Sequence, residues 1–355
     1  MTARILACAW GVLIAAYCGS SALLRASPES SSAAGSEAAV AKQLEAAIQD
    51  EVRQGFSGSV LVAREGRVLL QKVYGGLQGN ALSPDGRFLI ASAAKQFTST
   101  ALLKLQERGR LDLDDPIDKY FPDAPADKQV ITIRQLLSHT SGFPQAYDSE
   151  STRTWRQAAQ VILSEPLTAR PGERFQYSNE NYQLGVALVE AVSGRRYAEF
   201  VETELLRPAG LRDTGQLDGS ASVRRLSPTQ ESLPPRLLNL QWGGFGYYST
   251  AADFHRWYVA VRSGQLLSAS SVSELFAPIV KIGEGHAALG WFIGTTAGGE
   301  QRIFTRGNDD VGSSSLLYAY PQSDTMIVVL SHAGSKDDET SWARAVHARL
   351  EALLL

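Results

Sequence analysis

The sequence predicts an α/β protein of the α+β type: an antiparallel β-sheet flanked by N- and C-terminal helices, with a mainly helical domain inserted between the two halves of the sheet. Three observations predict it. Two β-like runs near the start, Ser59–Arg64 and Arg67–Val73, are answered by four more after about residue 285. Between them lies a long block of helical signals joined by Gly/Pro loops. Apolar residues at helical spacing precede the first strands and follow the last, so both chain ends are expected to pack as helices on one sheet face. With 44% hydrophobic and 20% charged residues over 355 positions, the chain has material for a large core, which excludes disorder, collagen-like repetition and coiled coil as its organisation. Lys+Arg number 34 against 37 Asp+Glu, a net charge of −3, and give no electrostatic footprint for nucleic acid.

In chain order, Arg4 precedes an uncharged stretch, Ile5–Leu24. Its inner run Ile5–Ala16 has the length of a signal-peptide hydrophobic region, and Ser20-Ser21-Ala22 offers a cleavage site. The whole stretch is also long enough for an uncleaved membrane anchor. Residues 1–22 are thus a signal peptide or anchor, and the protein is expected to be exported, periplasmic or secreted, with membrane contact confined to this segment. Cys8 and Cys18 both lie in it, so cleavage leaves no thiol for disulfides or chemistry. Residues 23–39, Ser/Ala/Glu-rich, read as a disordered linker.

Val40, Leu44, Ile48 and Val52 recur every fourth residue and predict a helix closed by Gly55. Glu65-Gly66 makes the next two runs a hairpin. Residues 40–91 and 285–355 are assigned to the sheet domain, and 92–284 to the inserted helical domain. Within the insertion, Ser92–Arg108 is a helix stopped by Gly109. Thr132-Ile133-Arg134-Gln135 is a capping box opening a short helix that ends near Gly142. Tyr182–Val192, Tyr197–Leu206 and Ala251–Val261 are further helices, the last opened by Thr250. Ala288–Gly294, Gln301–Arg306, Ser313–Tyr320 and Thr325–Ser331 are the returning strands, and Glu339–Leu354 the final helix.

Two residue patterns point to chemistry. Ser92-Ala-Ala-Lys95 places a hydroxyl and an amine three apart on one helix face. Serine is a weak nucleophile at neutral pH, and an amine whose pKa is lowered by burial can take its proton. With 36 Ser and 8 Lys in the chain, such a pair also arises by chance, so it needs company. Tyr177-Ser178-Asn179 supplies a phenol able to act as acid or base and an amide able to hold a substrate amide. Its bland reading is a turn capping the following helix.

Phe88-Leu-Ile-Ala-Ser92-Ala-Ala-Lys95-Gln-Phe-Thr, Gly109-Arg-Leu-Asp-Leu-Asp-Asp-Pro116 and Ile131-Thr-Ile-Arg-Gln-Leu-Leu-Ser-His-Thr-Ser-Gly142 together resemble the serine β-lactamase-related family. So do Pro171-Gly-Glu-Arg-Phe-Gln-Tyr-Ser-Asn179 and Gly243-Gly-Phe-Gly-Tyr-Tyr-Ser-Thr250. The likeness is to its class C branch of β-lactamases, DD-peptidases and esterases, and runs over about residues 40–350. The resemblance implies an active site between the sheet and the helical insertion. It makes Ser92 the nucleophile, Lys95 its activating amine, Tyr177 the proton carrier for the leaving group and Asn179 the holder of the substrate amide. An acyl-serine intermediate and no metal or organic cofactor are implied. The expected substrate is a small ester, amide or peptidoglycan-like molecule.

The family's third motif, Lys-Thr-Gly or His-x-Gly, is altered here. Counting back from Gly312-Ser-Ser-Ser315 places Arg306-Gly307-Asn308 on that strand, with Arg306 able to grip a carboxylate. The oxyanion donors are then the N–H groups of Ser92 and Asp309. Asn308 in place of glycine would crowd the strand edge, and Asp309-Asp310 would disfavour an anion. A one-residue slip gives Thr305-Arg306-Gly307, which restores the glycine and loses the leading cation. The departure favours an esterase or peptidase over a dedicated β-lactamase. The alternative is a non-catalytic ligand-binding or regulatory protein on the same scaffold.

Other polar residues take structural readings. His139 ends a helix, where a protonated imidazole suits the dipole. His255, His286, His332 and His347 lack metal-ligand spacing. Asp112, Asp114 and Asp115 are turn residues before Pro116. Tyr147, Trp155 and Trp242 belong either to the cleft wall or to the core.

Overall fold

A computed structural model describes residues 28–77, 80–83, 85–146, 149, 152, 154–217, 226, 246–309, 312–335 and 341–355. The expected signal peptide or anchor, both cysteines, Tyr147, Trp242 and Asp310 lie outside the described residues.

Helix α1 spans Pro28–Gln54. It begins well before Val40, so most of the stretch expected to be a disordered linker is helical; its Ala and Glu residues are strong helix formers, and Pro28 opens the first turn. The apolar spacing works as expected: Leu44 and Ile48 are buried, and Val40 and Val52 pack beside them. Gly55, at φ 124°, ends the run.

Strands β1 (Gly58–Arg64) and β2 (Arg67–Tyr74) form the hairpin, turned by Glu65 and Gly66 at φ 50° and 72°. Short strands β3 (Gly76–Leu77) and β4 (Asn80–Ala81) pair with each other. Strand β5 (Phe88–Leu89) leads into a 3₁₀ turn at Ala91–Ala94 and helix α2 (Lys95–Glu107). Helices α3 (Ile133–Leu137), α4 (Trp155–Ser164), α5 (Asn179–Ser193) and α6 (Tyr197–Val201) follow. Thr132 caps α3 with the full capping box expected of it. Beyond β6 (Gly215–Gln216) and β7 (Tyr247–Ser249) come α7 (Ala251–Arg262), capped by Thr250, and α8 (Ala269–Leu275).

The chain then returns to the large sheet through β8 (Val280–Ile282), β9 (Gly285–Ala287), β10 (Phe292–Thr295), β11 (Gln301–Asn308), β12 (Ser314–Tyr320) and β13 (Thr325–Ser331), and closes with α9 (Trp342–Leu354). The sheet has eight strands in the order β2-β1-β13-β12-β11-β10-β9-β8, antiparallel throughout. Ala288–Trp291, expected to be strand, is instead the connection into β10, where Ala288 N–H bonds Trp291 O around Gly290 at φ 74°.

Both faces of the central strands are covered, and the alternation shows it. On β13, Met326, Val328 and Leu330 face the helical insertion, whereas Ile327 and Val329 face α1 and α9. On β12, Leu317 and Ala319 take the first side and Leu316, Tyr318 and Tyr320 the second. Each fully buried aliphatic side chain contributes roughly 1.5–3 kcal/mol of transfer free energy. Continuous apolar runs in β12 and β13 are therefore the signature of a two-sided core.

Candidate active site

Ser92 stands where β5 turns into α2. Ile90 N–H bonds Tyr247 O at 3.0 Å, and the next residue, Ala91, adopts φ 44°, a left-handed conformation rare for a side chain with a Cβ. Ala91, Ala93 and Ala94 are buried, while Ser92 is half-buried and lines the cleft. The helix expected from Ser92 therefore starts as a tighter 3₁₀ turn, and regular α-helix begins at Lys95.

Strand β11 fixes this turn from the other side. A Cβ on Gly307 would stand 2.2 Å from Ile90 O and 2.7 Å from Ser92 N, so only glycine lets the strand approach so closely. Ser315 Oγ on β12 donates to Ile90 O at 2.7 Å. Gly307 thus occupies the glycine place of the third motif, with Thr305 and Arg306 before it. The slipped register holds, and the first register, with Asn308 in the glycine place, is corrected.

The same geometry corrects the expected Asp309 donor. Asp309 N–H is engaged with Ser313 O at 3.1 Å, and its Oδ1 accepts Ser313 N–H at 2.8 Å, closing the β11–β12 turn. Hydrogen-bonded pairs alternate along an antiparallel ladder, so the Asn308 N–H, one residue earlier, points off the opposite edge of β11. On that edge the β10 register has already stopped at Phe292↔Phe304.

Lys95, Tyr177 and Asn179 converge on Ser92. Lys95 Nζ lies 3.2 Å from Ser92 Oγ and donates to Asn179 Oδ1 at 2.7 Å. Tyr177 OH donates to Ser92 Oγ at 2.7 Å. Asn179 is the first residue of α5, which starts before the expected Tyr182 and so brings the motif onto the helix N-terminus. Burial pushes the Lys95 amine down to about 7, against the opposing charge of Glu180. Burial pushes the Tyr177 phenol up to about 12, against the pull of its Ser92 hydrogen bond and of Arg306. At pH 7 the phenol is therefore a donor, and the amine is the group poised to accept a proton.

His139 has a different part from the one expected. Helix α3 stops at Leu137, and His139 lies beyond it at φ 59°, 3% exposed. Its Nδ1 accepts the Ser178 N–H at 3.2 Å, and its ring stacks on Tyr177 with centroids 4.4 Å apart. Burial and the neighbouring Lys95 hold its pKa well below the usual histidine value, so it is neutral and supports Tyr177 rather than a helix dipole.

The cleft beyond Ser92 has a volume of about 480 Å³. Arg306 and Asn308 line it, and the Arg306 guanidinium lies 5.6 Å from the Phe292 ring centroid. Phe175, Phe292 and Phe304 line it too, with no pattern in the sequence that marks them, as does His286, whose spacing supports only a structural reading. Their signal is weak, because an aromatic residue in a strand looks the same whether it faces core or cleft. Trp155 packs against Phe121, ring centroids 6.4 Å apart. Asp112, Asp114 and Asp115 form the turn: Asp112 N–H bonds Asp115 Oδ2, and Asp114 pairs with Arg134. Among the described residues no group of three His, Cys, Asp or Glu is placed to hold a metal ion.

Comparison with known proteins follows the same outline. The family model described as Beta-lactamase matches residues 41–351. Penicillin-binding protein 4* of Bacillus subtilis is 26% identical over 84% of this chain and 72% of its own length. Protein flp of Staphylococcus aureus is 28% identical over 83% of this chain, which spans 64% of that relative's length. The crystal structure of a D-stereospecific amidohydrolase from Streptomyces sp. superposes with a TM-score of 0.71 at 26% identity, covering 88% of this chain and 97% of that one.

Proposed function

The chain belongs to the beta-lactamase family, and from that premise we propose that it is an exported serine hydrolase that cleaves a small ester or amide through an acyl-serine. The observation that carries the reading is Ser92 Oγ held between Lys95 Nζ at 3.2 Å and Tyr177 OH at 2.7 Å. In this arrangement the phenol donates to Oγ, leaving the Oγ–H directed at a Lys95 amine that is about half neutral at pH 7.

As Oγ attacks the substrate carbonyl, its proton passes to Lys95 Nζ and a C–O bond forms. The developing oxyanion is received by the N–H groups of Ser92 and Asn308. Collapse expels the alcohol or amine, which takes a proton through Tyr177, and Lys95 returns that proton to the phenol. Water then releases the acid by the same route in reverse. Asn179, whose Oδ1 holds Lys95, keeps its NH₂ for a substrate carbonyl, and Arg306 at the cleft edge suits a carboxylate.

Thr305 stands in the leading position of the third motif and is buried. The missing cation there supports an esterase or amidase over a dedicated β-lactamase, and the D-stereospecific amidohydrolase named above makes D-amino acyl amides a substrate class to include. The test is intact-mass spectrometry after exposure to a fluorophosphonate, a penicillin and a short aryl ester. A Ser92-dependent adduct supports the reading. No adduct on folded protein, or equal labelling of Ser92→Ala, overturns it.

A further inference from the structure

The cleft beside Ser92 extends past the reacting groups, and to one side of them. Tyr177, which serves the leaving atom, lines it, whereas Asn179, which serves the acyl half, does not. From Ser92 the cleft runs over β10 and β11 on the sheet face that α9 covers at β12. Directly opposed across three strands, Phe292, Phe304 and Tyr318 form one row on that face. The rings of Phe304 and Tyr318 are parallel within 1° at 4.6 Å between centroids, and Phe292 continues the stack at 5.5 Å and 27°. Rings this close cannot lie side by side in one plane; they stand face to face and turn their edges away from the sheet. His347 of α9 closes the row at Tyr318, centroids 3.8 Å apart, while Phe292 and Phe304 stay half-buried and line the cleft. Gly294 keeps the floor low beside them: a Cβ there would stand 3.1 Å from Arg302 Nε and 3.7 Å from Phe304 Cε1.

Two arginines flank the row. Arg302 is paired with Glu351 at 3.2 Å. Arg306 is exposed, 5.6 Å from the Phe292 centroid, and bonds no carboxylate among the described residues. The titratable groups that act on it are Arg344, Tyr318 and Tyr177. Glu284, the carboxylate of the lining, stands on the β8–β9 turn, with β9 and β10 between it and β11. Ring edges carry positive partial charge, so together with Arg306 the strip favours an electron-rich π face and an anion.

We propose that this strip is the leaving-group site and that it takes an alcohol or amine bearing an aryl carboxylate, the aryl face on the edges of Phe292 and Phe304 and the carboxylate on Arg306. The inference rests on the serine-hydrolase reading and deepens it. In acylation the bond from the carbonyl carbon to the leaving oxygen or nitrogen breaks, and that atom takes the Tyr177 proton. The aryl product then departs along the strip while the acyl group stays on Ser92.

Three acetyl esters that share one acyl-enzyme test this: those of p-(hydroxymethyl)benzoate, benzyl alcohol and ω-hydroxyhexanoate. Acylation is read as kcat/KM, each value divided by the ester's own rate of hydroxide hydrolysis. The aryl carboxylate is expected to react about tenfold faster than either of the others, since one lacks the anion and the other the ring. Phe292→Leu is expected to remove the advantage over ω-hydroxyhexanoate, and Arg306→Ala that over benzyl alcohol. Equal rates in the wild type, or an advantage over ω-hydroxyhexanoate that survives in Phe292→Leu, overturns the proposal. Should Phe292→Leu not fold, calorimetry on Ser92→Ala decides: p-(hydroxymethyl)benzoate is expected to bind about tenfold tighter than ω-hydroxyhexanoate, and equal or undetectable binding overturns the site. Fluorophosphonate labelling of Ser92 reports separately on the hydrolase reading. Labelling without a leaving-group preference keeps that reading and removes this one, whereas selective binding without labelling removes the hydrolase reading and with it the leaving-group role.

Discussion

Two polar clusters lie on opposite faces of the same sheet, and each is built around a tyrosine and a basic group. Under α9, Tyr320 OH donates to Glu351 Oε1 at 2.7 Å and lies 2.8 Å from His347 Nε2, while Arg302 pairs with Glu351 at 3.2 Å. At the cleft, Tyr177 OH donates to Ser92 Oγ, and Lys95 reaches Ser92 and Asn179. The first cluster meets its cation with a directly bonded carboxylate, and the His347 ring packs tilted against Tyr318, centroids 3.8 Å apart. In the second, the amine reaches the neutral oxygens of Ser92 and Asn179. A cation paired directly with a carboxylate stays charged, whereas a buried amine whose pKa is pushed down to about 7 can exchange a proton.

That contrast can be broken most severely at Lys95. Lys95→Met is expected to slow Ser92 labelling by about 10³-fold, read by intact-mass time courses, because it removes the proposed general base. Gly307→Ala comes next: its Cβ would meet Ile90 O and displace the Ser92 turn, with an expected loss of about 10²-fold in labelling at near-normal circular dichroism. Arg306→Ala should weaken turnover of substrates with a free carboxylate about tenfold while sparing neutral esters, measured as kcat/KM for matched pairs.

The pH responses of the two clusters also differ. Labelling should rise as pH increases through about 7, where Lys95 loses its proton. His347 behaves as a stability group: burial holds it near 4 in the fold against 6.5 in the unfolded chain. The unfolded state then binds more protons between those values, so the contribution is fully present above 6.5 and lost as pH falls toward 4. A thermal-melt series of His347→Gln should be flatter over that window than wild type. The smallest effect is expected for Tyr320→Phe, about 1 kcal/mol of stability by denaturant titration with labelling unchanged.

Much of this arrangement is legible in the sequence because the signals are local. The Val40–Val52 spacing, the Glu65-Gly66 turn and the Thr132–Gln135 box each act within a few residues, and each forms as expected. Ser92, Lys95, Tyr177 and Asn179 were identifiable because several motifs agree in order. The register of β11 was not, since alternation tells which face a residue takes but not which residue abuts a turn more than two hundred positions earlier in the chain. Gly307 is recognised as the motif glycine only once Ile90 is beside it. The place of His139 is hidden for a related reason: a positive φ after a helix end turns the ring inward, and nothing in the helical period encodes that.

The pairing of β1 with β13 has a kinetic consequence. Gly58 lies opposite Ser331, so the sheet joins strands separated by almost the whole described chain. Contacts of such long sequence separation are slow to form, because the loop-closure entropy is paid before the strands reward it. During synthesis from the N-terminus, β1 is expected to gain its β13 neighbour only once residues 325–331 have emerged. A chain cut short before residue 325 would carry Ser92, Lys95, Tyr177 and Asn179 without the strand that joins β1 to β12.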